Sequence, residues 1–177
     1  RNNRCNLLEL DGDEKITTVI PIAEYKEDLY LIMATKHGMV KKTKLMEYDN
    51  IRRGGLAAVT LRENDELIDV RLTDGSNDII LVTRNGLSIR FIEEDVRPMG
   101  RTAQGVIGIR LNEDDYVIGM ATSMDDSSLL VVTENGFGKR TKLEEYKVQK
   151  RAGKGMLTYR VTEKTGYLVG TRLVYEN

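Results

Sequence analysis

The sequence predicts an all-β tandem array, and three observations carry that expectation. Apolar strands run into glycine turns at Leu29–Gly38, Ile79–Gly86 and Leu129–Gly136, which sets Gly38, Gly86 and Gly136 48 and then 50 residues apart. A second marker, a glycine followed by an apolar run, recurs at Gly55–Leu61, Gly105–Leu111 and Gly155–Val161, spaced by 50 and 50 residues. Basic and acidic stretches alternate with the same period. Markers in phase at about fifty residues mean a propeller or solenoid, a scaffold that presents one surface repeatedly.

Taken in order, residues 1–28 read as the end of a truncated unit, with Asn6–Ile22 as its last two strands. Residues 29–77, 78–127 and 128–177 read as three complete units of four strands each. In the first, the strands are Leu29–Thr35, Met39–Leu45, Leu56–Leu61 and Leu67–Thr73, with a Gly- and Arg-bearing loop before the third. Met39–Leu45 and Leu67–Thr73 alternate apolar and polar residues, as half-buried strands do. Leu29–Thr35 and Ile79–Thr83 are apolar on both faces and are expected at the centre of their sheets. No stretch has helical periodicity. Asn85-Gly86 and Asn135-Gly136 suggest two-residue type I′ turns with positive φ at both positions. His37-Gly38 occupies the same slot, which gives the single histidine a structural reading.

The 177 residues suffice for one domain with a core, and 31% charged against 40% hydrophobic is ordinary for a soluble fold. No apolar run reaches membrane-spanning length, and the N-terminus lacks a signal-peptide core. The single cysteine, Cys5, allows no internal disulfide, which fits the cytoplasm. One histidine builds neither a nucleophilic triad nor a zinc site, and Gly100–Gly105 opens no helix as a phosphate loop must. No catalytic centre and no metal site can be assembled. The carboxylate pairs Asp114-Asp115 and Asp125-Asp126 read as polar turn residues.

What recurs is basic. The net charge of −1 hides a pattern in which each unit has a basic first half and an acidic second half. Cations follow each glycine turn, at Lys41, Lys42 and Lys44, at Arg90, and at Lys139, Arg140 and Lys142. Glycine-rich loops add Arg52 and Arg53, then Arg101, then Lys150, Arg151 and Lys154. In an array, equivalent positions stack, so these cations are expected on one continuous outer rim suited to a polyanion.

The Thr-x-Asn-Gly turns, the run Gly100–Leu111 preceded by Asp95–Met99, and the loop Gln149–Gly155 resemble the C-terminal domain of DNA gyrase A over essentially the whole chain; the matching domain of topoisomerase IV is the close alternative. The resemblance implies a β-pinwheel, a propeller-like disc of six blades that exchange strands, of which this chain would hold about 3.5. It implies a non-catalytic domain that wraps duplex DNA on its basic rim and supports negative supercoiling by a cytoplasmic, nucleoid-associated holoenzyme that also contains gyrase B. No cofactor is expected in this part, ATP and Mg2+ being used elsewhere in that holoenzyme. The family's heptapeptide of glutamine, two bases, two glycines, a base and glycine is approached by Gln149, Lys150, Arg151, Ala152, Gly153, Lys154 and Gly155, with Ala152 standing where a glycine is expected. Phosphate contact is carried over to Lys150, Arg151 and Lys154. A propeller used for protein–protein contact remains the alternative of a different class.

Overall fold

The computed structural model describes residues 28–48, 64–123 and 127–175. The expected truncated unit at Asn6–Ile22, the strand Leu56–Leu61, the cations Arg52 and Arg53, and Asp125-Asp126 lie outside the described residues. The described chain forms three antiparallel sheets joined by three short 3-10 turns, at Leu45–Tyr48, Glu93–Asp95 and Leu143–Glu145. No helix among the described residues is long and apolar enough to cross a membrane.

The first sheet contains β1 (Tyr30–Thr35), β2 (Met39–Lys44) and β3 (Leu67–Thr73), and the second β4 (Asp78–Thr83), β5 (Leu87–Ile92) and β7 (Val117–Ser123). β8 (Ser127–Thr133), β9 (Gly138–Lys142) and β11 (Leu168–Tyr175) form the third. The remaining strands are exchanged. β6 (Val106–Ile107), from the second unit, joins the first sheet, giving the order β3-β1-β2-β6; β10 (Met156–Leu157), from the third unit, joins the second, giving β10-β5-β4-β7. The third sheet is β11-β8-β9. The donor strands pair in matching register, Val40↔Val106 and Met39↔Ile107 in one sheet, Ser88↔Met156 and Leu87↔Leu157 in the other.

The doubly apolar strands β1, β4 and β8 are central, as their composition demands. Each sheet buries one face against the next. Ile32 and Ala34 pack with Ile79 and Leu81, while Ile80 and Val82 pack with Leu129 and Val131. Each of these Ile, Leu and Val side chains contributes about 1.5–3 kcal/mol when fully buried.

The glycine turns differ from the two-residue type I′ expected. Gly38, Gly86 and Gly136 have φ of 87°, 92° and 86°, but Asn85, Asn135 and His37 do not have positive φ. The loops contain three residues: the glycine N–H donates to the carbonyl of Thr35, Thr83 or Thr133, and the next N–H donates to the same threonine's Oγ1. That is a type I turn closed by a left-handed glycine, a geometry that asks nothing unusual of the residue before it. The backbone N–H of His37 and of Asn85 is held by the buried carboxylates of Asp65 and Asp115 at 2.9 and 3.0 Å. Asp115 is therefore a structural pin rather than a mere polar turn residue.

The turn ends are also tied laterally. Lys36 pairs with Glu66 at 3.9 Å and lies over the Tyr116 ring, while Arg84 lies between Tyr116 and Tyr167, 3.4 Å from the latter's centroid.

Candidate nucleic-acid interface

The candidate interface is the edge of each sheet that receives a donor strand. After its 3-10 turn the chain leaves its own sheet and crosses to the preceding one. Pro98 bridges to Lys42 and Val148 to Arg90, and the N–H groups of Met99 and Gln149 donate to the carbonyls of Lys42 and Arg90 at 2.8 and 2.7 Å. The crossing ends at Gly105 and Gly155, with φ of 90° and 80°, where a Cβ would sit 2.5 Å from the carbonyl oxygen of Val40 or Ser88. Glycine is required at both, for conformation and for approach.

The expected cations divide into three groups. Lys44, Lys139, Arg140, Lys142, Lys150 and Lys154 are exposed. Arg90, Arg101 and Arg151 are half-buried. Arg90 pairs with Asp78 at 2.6 Å and donates to the carbonyls of Leu143 and Tyr146 in the next unit. Arg151 donates to the carbonyls of Ile107 and Asp95, at 2.5 and 3.2 Å, and so fastens its own loop to the second unit's 3-10 turn and donor strand.

Lys41 and Lys42 are buried, which corrects the expectation that every cation of this strand faces outward. The Lys42 ammonium lies 3.8 Å from Glu93 and 4.5 Å from the Tyr30 ring centroid. Glu93 is itself fully buried and accepts from the Thr73 hydroxyl and the Asn77 N–H. The Lys41 ammonium donates to the Arg101 carbonyl. Burial brings its pKa down to about 8, against the opposing pull of Glu47 and with a further lowering from Arg101. The alternation of the strand is masked here because lysine stems pack as apolar groups do.

Where the second and third units meet, Arg90 helps frame a cavity of about 180 Å³ lined also by Lys139, Thr141, Tyr146, Lys147, Gln149 and Thr158 among others. The Lys139 ammonium donates to the Thr158 carbonyl at 3.3 Å, and the Tyr146 and Thr158 hydroxyls are 2.5 Å apart. Lys147 was not among the expected contacts, nor were Arg97, Arg110 and Arg160, all of which are exposed. The signal was available: Arg97 and Lys147, like Arg110 and Arg160, are 50 residues apart. Among the described residues, no three His, Cys, Asp or Glu side chains come together as metal ligands.

Residues 29–74, 77–123 and 127–174 match the family model described as DNA gyrase C-terminal domain, beta-propeller. Two curated relatives are the A subunits of DNA gyrase from Halalkalibacterium halodurans, 57% identical over 103 residues, and from Clostridium acetobutylicum, 56% identical over 106 residues. The alignments cover 58% and 60% of this chain but only 12% and 13% of those proteins, so the match spans a small part of their length. Among solved structures, the C-terminal domain of DNA topoisomerase IV superposes with a TM-score of 0.84 at 35% identity, covering 96% of this chain and 54% of that one. A DNA gyrase A C-terminal domain superposes with a TM-score of 0.84 at 26% identity, covering 96% and 57%.

Proposed function

The chain belongs to the DNA gyrase C-terminal domain, beta-propeller family, and from that premise we propose that it binds and wraps duplex DNA as a non-catalytic module of gyrase A. The observation that carries the proposal is the set of exposed cations on the second strand of each hairpin and on the crossing loop, Lys44, Lys139, Arg140, Lys142, Lys150 and Lys154, with Arg97, Lys147, Arg110 and Arg160 recurring at the repeat period. Point cations on long stems, spread over a sheet edge, suit a phosphate backbone and read no base. Arg90 and Arg151 position the edge, and Lys41, bound to the Arg101 carbonyl, and Lys42 hold it from within.

On this reading the reaction chemistry, ATP and Mg2+ belong to other parts of a type II topoisomerase, with the rest of gyrase A and gyrase B as partners in the cytoplasm. Identities of 57% and 56% to two gyrase A subunits, over 58% and 60% of the chain, support the gyrase assignment, while among the superposed domains that of topoisomerase IV is 35% identical and that of gyrase A 26%.

The test is the salt dependence of duplex binding. With about five to eight phosphates engaged, log K falls against log salt with a slope near −0.9 per contact. Replacing Lys139 and Lys147 with alanine reduces the slope by roughly one contact each while shifting stability by less than about 0.5 kcal/mol. Binding that ignores salt, or a double variant that binds as the parent does, sinks the proposal.

A further inference from the structure

We propose that the cavity between the second and third sheets is a binding site for one phosphate group, held by the ammonium groups of Lys139 and Lys147 and by the side chains of Ser88, Thr141 and Gln149. Two neighbouring sheets wall it, with β5 and β10 on one side and, on the other, β9 and the chain that follows it through Gln149. Its space is made by side chains. Phe91 and Met99 plug the first junction with apolar bulk, and Thr141 and Gln149 stand at those places in the second. Loss of the aromatic ring opens room, and the replacements bring a hydroxyl and an amide into it. An apolar cavity of about 150 Å³ admits a benzene-sized molecule, so about 180 Å³ accommodates a phosphate group.

The lining holds a surplus of hydrogen-bond donors. Arg90 is not among them: its guanidinium is committed to Asp78 and to the carbonyls of Leu143 and Tyr146, which fixes the wall and neutralises the charge. Tyr146 and Thr158 satisfy each other through their hydroxyls. Lys139 gives one proton to the Thr158 carbonyl and keeps two. The side chains of Ser88, Thr141, Lys147 and Gln149 have no hydrogen-bond or ion-pair partner among the described residues. Ser88 is only 3% exposed, so its hydroxyl depends on what the cavity holds. Two free ammonium groups face one carboxylate, that of Glu145, which leaves the lining cationic. Met156 and Leu157 add apolar wall. The kind of donor selects the anion. A planar carboxylate is met best by a guanidinium fork, and the one guanidinium in the lining is already committed. Ammonium, hydroxyl and amide donors arriving from several walls suit the oxygens of a tetrahedral phosphate.

The inference deepens the reading of Lys139 and Lys147 as phosphate contacts and rests on it for their role, but its test needs no DNA. The 177-residue chain, isotope-labelled for NMR, is titrated with sodium phosphate and with sodium chloride at matched ionic strength. Amide shifts at Ser88, Thr141 and Gln149 that saturate with phosphate and not with chloride are the expected result. Thr141→Phe with Gln149→Met installs the plug of the first junction and is expected to abolish saturation. The gentler pair, Thr141→Val with Gln149→Met, removes two donors while nearly keeping their shape. It is expected to weaken phosphate about tenfold or more, and thermal melts check that it folds. A parent chain with no saturating shift overturns the proposal. So does a folded Thr141→Val, Gln149→Met chain that binds phosphate as the parent does. Duplex binding by that variant then identifies the source of the phosphate. No cation has been removed, so a drop in duplex affinity at an unchanged salt slope assigns the site to a backbone phosphate of DNA. An unchanged duplex affinity assigns it to free phosphate. A parent chain that binds no duplex yet still saturates with phosphate would sink the wrapping reading and leave this site standing.

Discussion

The junction between the first and second sheets and that between the second and third share one backbone plan and differ in what fills it. Both use a donor strand, a left-handed glycine at its start and a glycine turn whose carbonyl receives it. The first is sealed by Ile89, Phe91, Val96, Met99 and Val106, packed into one apolar cluster. Fifty residues later the corresponding positions are Lys139, Thr141, Tyr146, Gln149 and Met156, and these line the cavity instead. The exchanged backbone, with Ile80 and Val82 packed against Leu129 and Val131, therefore holds the second pair of sheets together without an apolar seal at the crossing. Side chains at the crossing are free to carry charge where the array needs it.

The largest expected effect tests the backbone half of that statement. A Cβ at Gly86 would overlap the Tyr159 carbonyl oxygen, and φ there is 92°. Gly86→Val is expected to remove cooperative unfolding, or to destabilise by more than about 4 kcal/mol. Gly136 has the same left-handed φ but nothing within 4 Å among the described residues, so Gly136→Val is expected to meet conformational strain, about 1–3 kcal/mol. Equal losses in denaturant titrations of the two variants would show that donor seating adds nothing beyond the turn itself.

The next effect concerns the ion pair that one junction has and the other lacks. Glu93 occupies the place of Leu143, and Lys42 that of Arg90. Glu93→Leu copies the second junction's apolar residue into the first but leaves the Lys42 ammonium buried without its carboxylate. The expected loss is about 3–5 kcal/mol. Adding Lys42→Met is expected to restore most of it, short of what the Asn77 N–H loses with its acceptor. A Glu93→Leu chain as stable as the parent would mean that the pair sets neither stability nor spacing.

A smaller effect follows from Lys41, whose counterparts in the other units are Ile89 and the exposed Lys139. Its folded pKa, about 8, lies below the ordinary lysine value of 10.5 because burial disfavours the ammonium. Below the folded value both states are charged and the desolvation penalty is present in full. As pH rises from about 8 toward 10.5, the folded chain gives up a proton that the unfolded chain keeps, so this group makes stability rise across that window. Comparing urea midpoints of the parent and Lys41→Met over this range isolates the contribution, and a variant with the same pH slope as the parent rules it out.

The array was legible because its markers are backbone requirements. A glycine that must hold positive φ, or admit a carbonyl, leaves a fixed mark in the sequence, and Gly38, Gly86, Gly105, Gly136 and Gly155 all keep the period. The central strands were legible because burial on both faces leaves no room for polar residues. The site was legible only in part. Lys41 and Lys44 look alike in the sequence, yet one donates to a carbonyl beneath the crossing loop and the other faces water. That difference is made by Arg101, 60 residues away and in another unit. Nothing local to Met39–Lys44 encodes it. The turn type was misread for a related reason: Asn-Gly suggests a two-residue loop, but the threonine hydroxyl before it selects three.

The smallest effect separates the two crossing loops. Ala152 has φ of 70°, whereas Thr102 at the same place in the earlier loop is not left-handed. The family heptapeptide has glycine where Ala152 stands, and the geometry supplies the reason. The Ala152 N–H donates to the Gly108 carbonyl at 2.9 Å, the Arg110 N–H donates to the Gly153 carbonyl at 2.9 Å, and the turn between them passes through the left-handed region. An L-residue there carries roughly 1–2 kcal/mol of strain. Ala152→Gly relieves that strain and returns about 0.4–1 kcal/mol to the unfolded chain as entropy. The net expectation is a stabilisation of up to about 1.6 kcal/mol, a rise in Tm of roughly 3–6 °C at most. Thr102→Gly, with no positive φ to relieve, is expected to lower stability instead. Thermal melts of the two variants should therefore move in opposite directions, and a shift of the same sign in both would mean that the left-handed residue is not what distinguishes the loops.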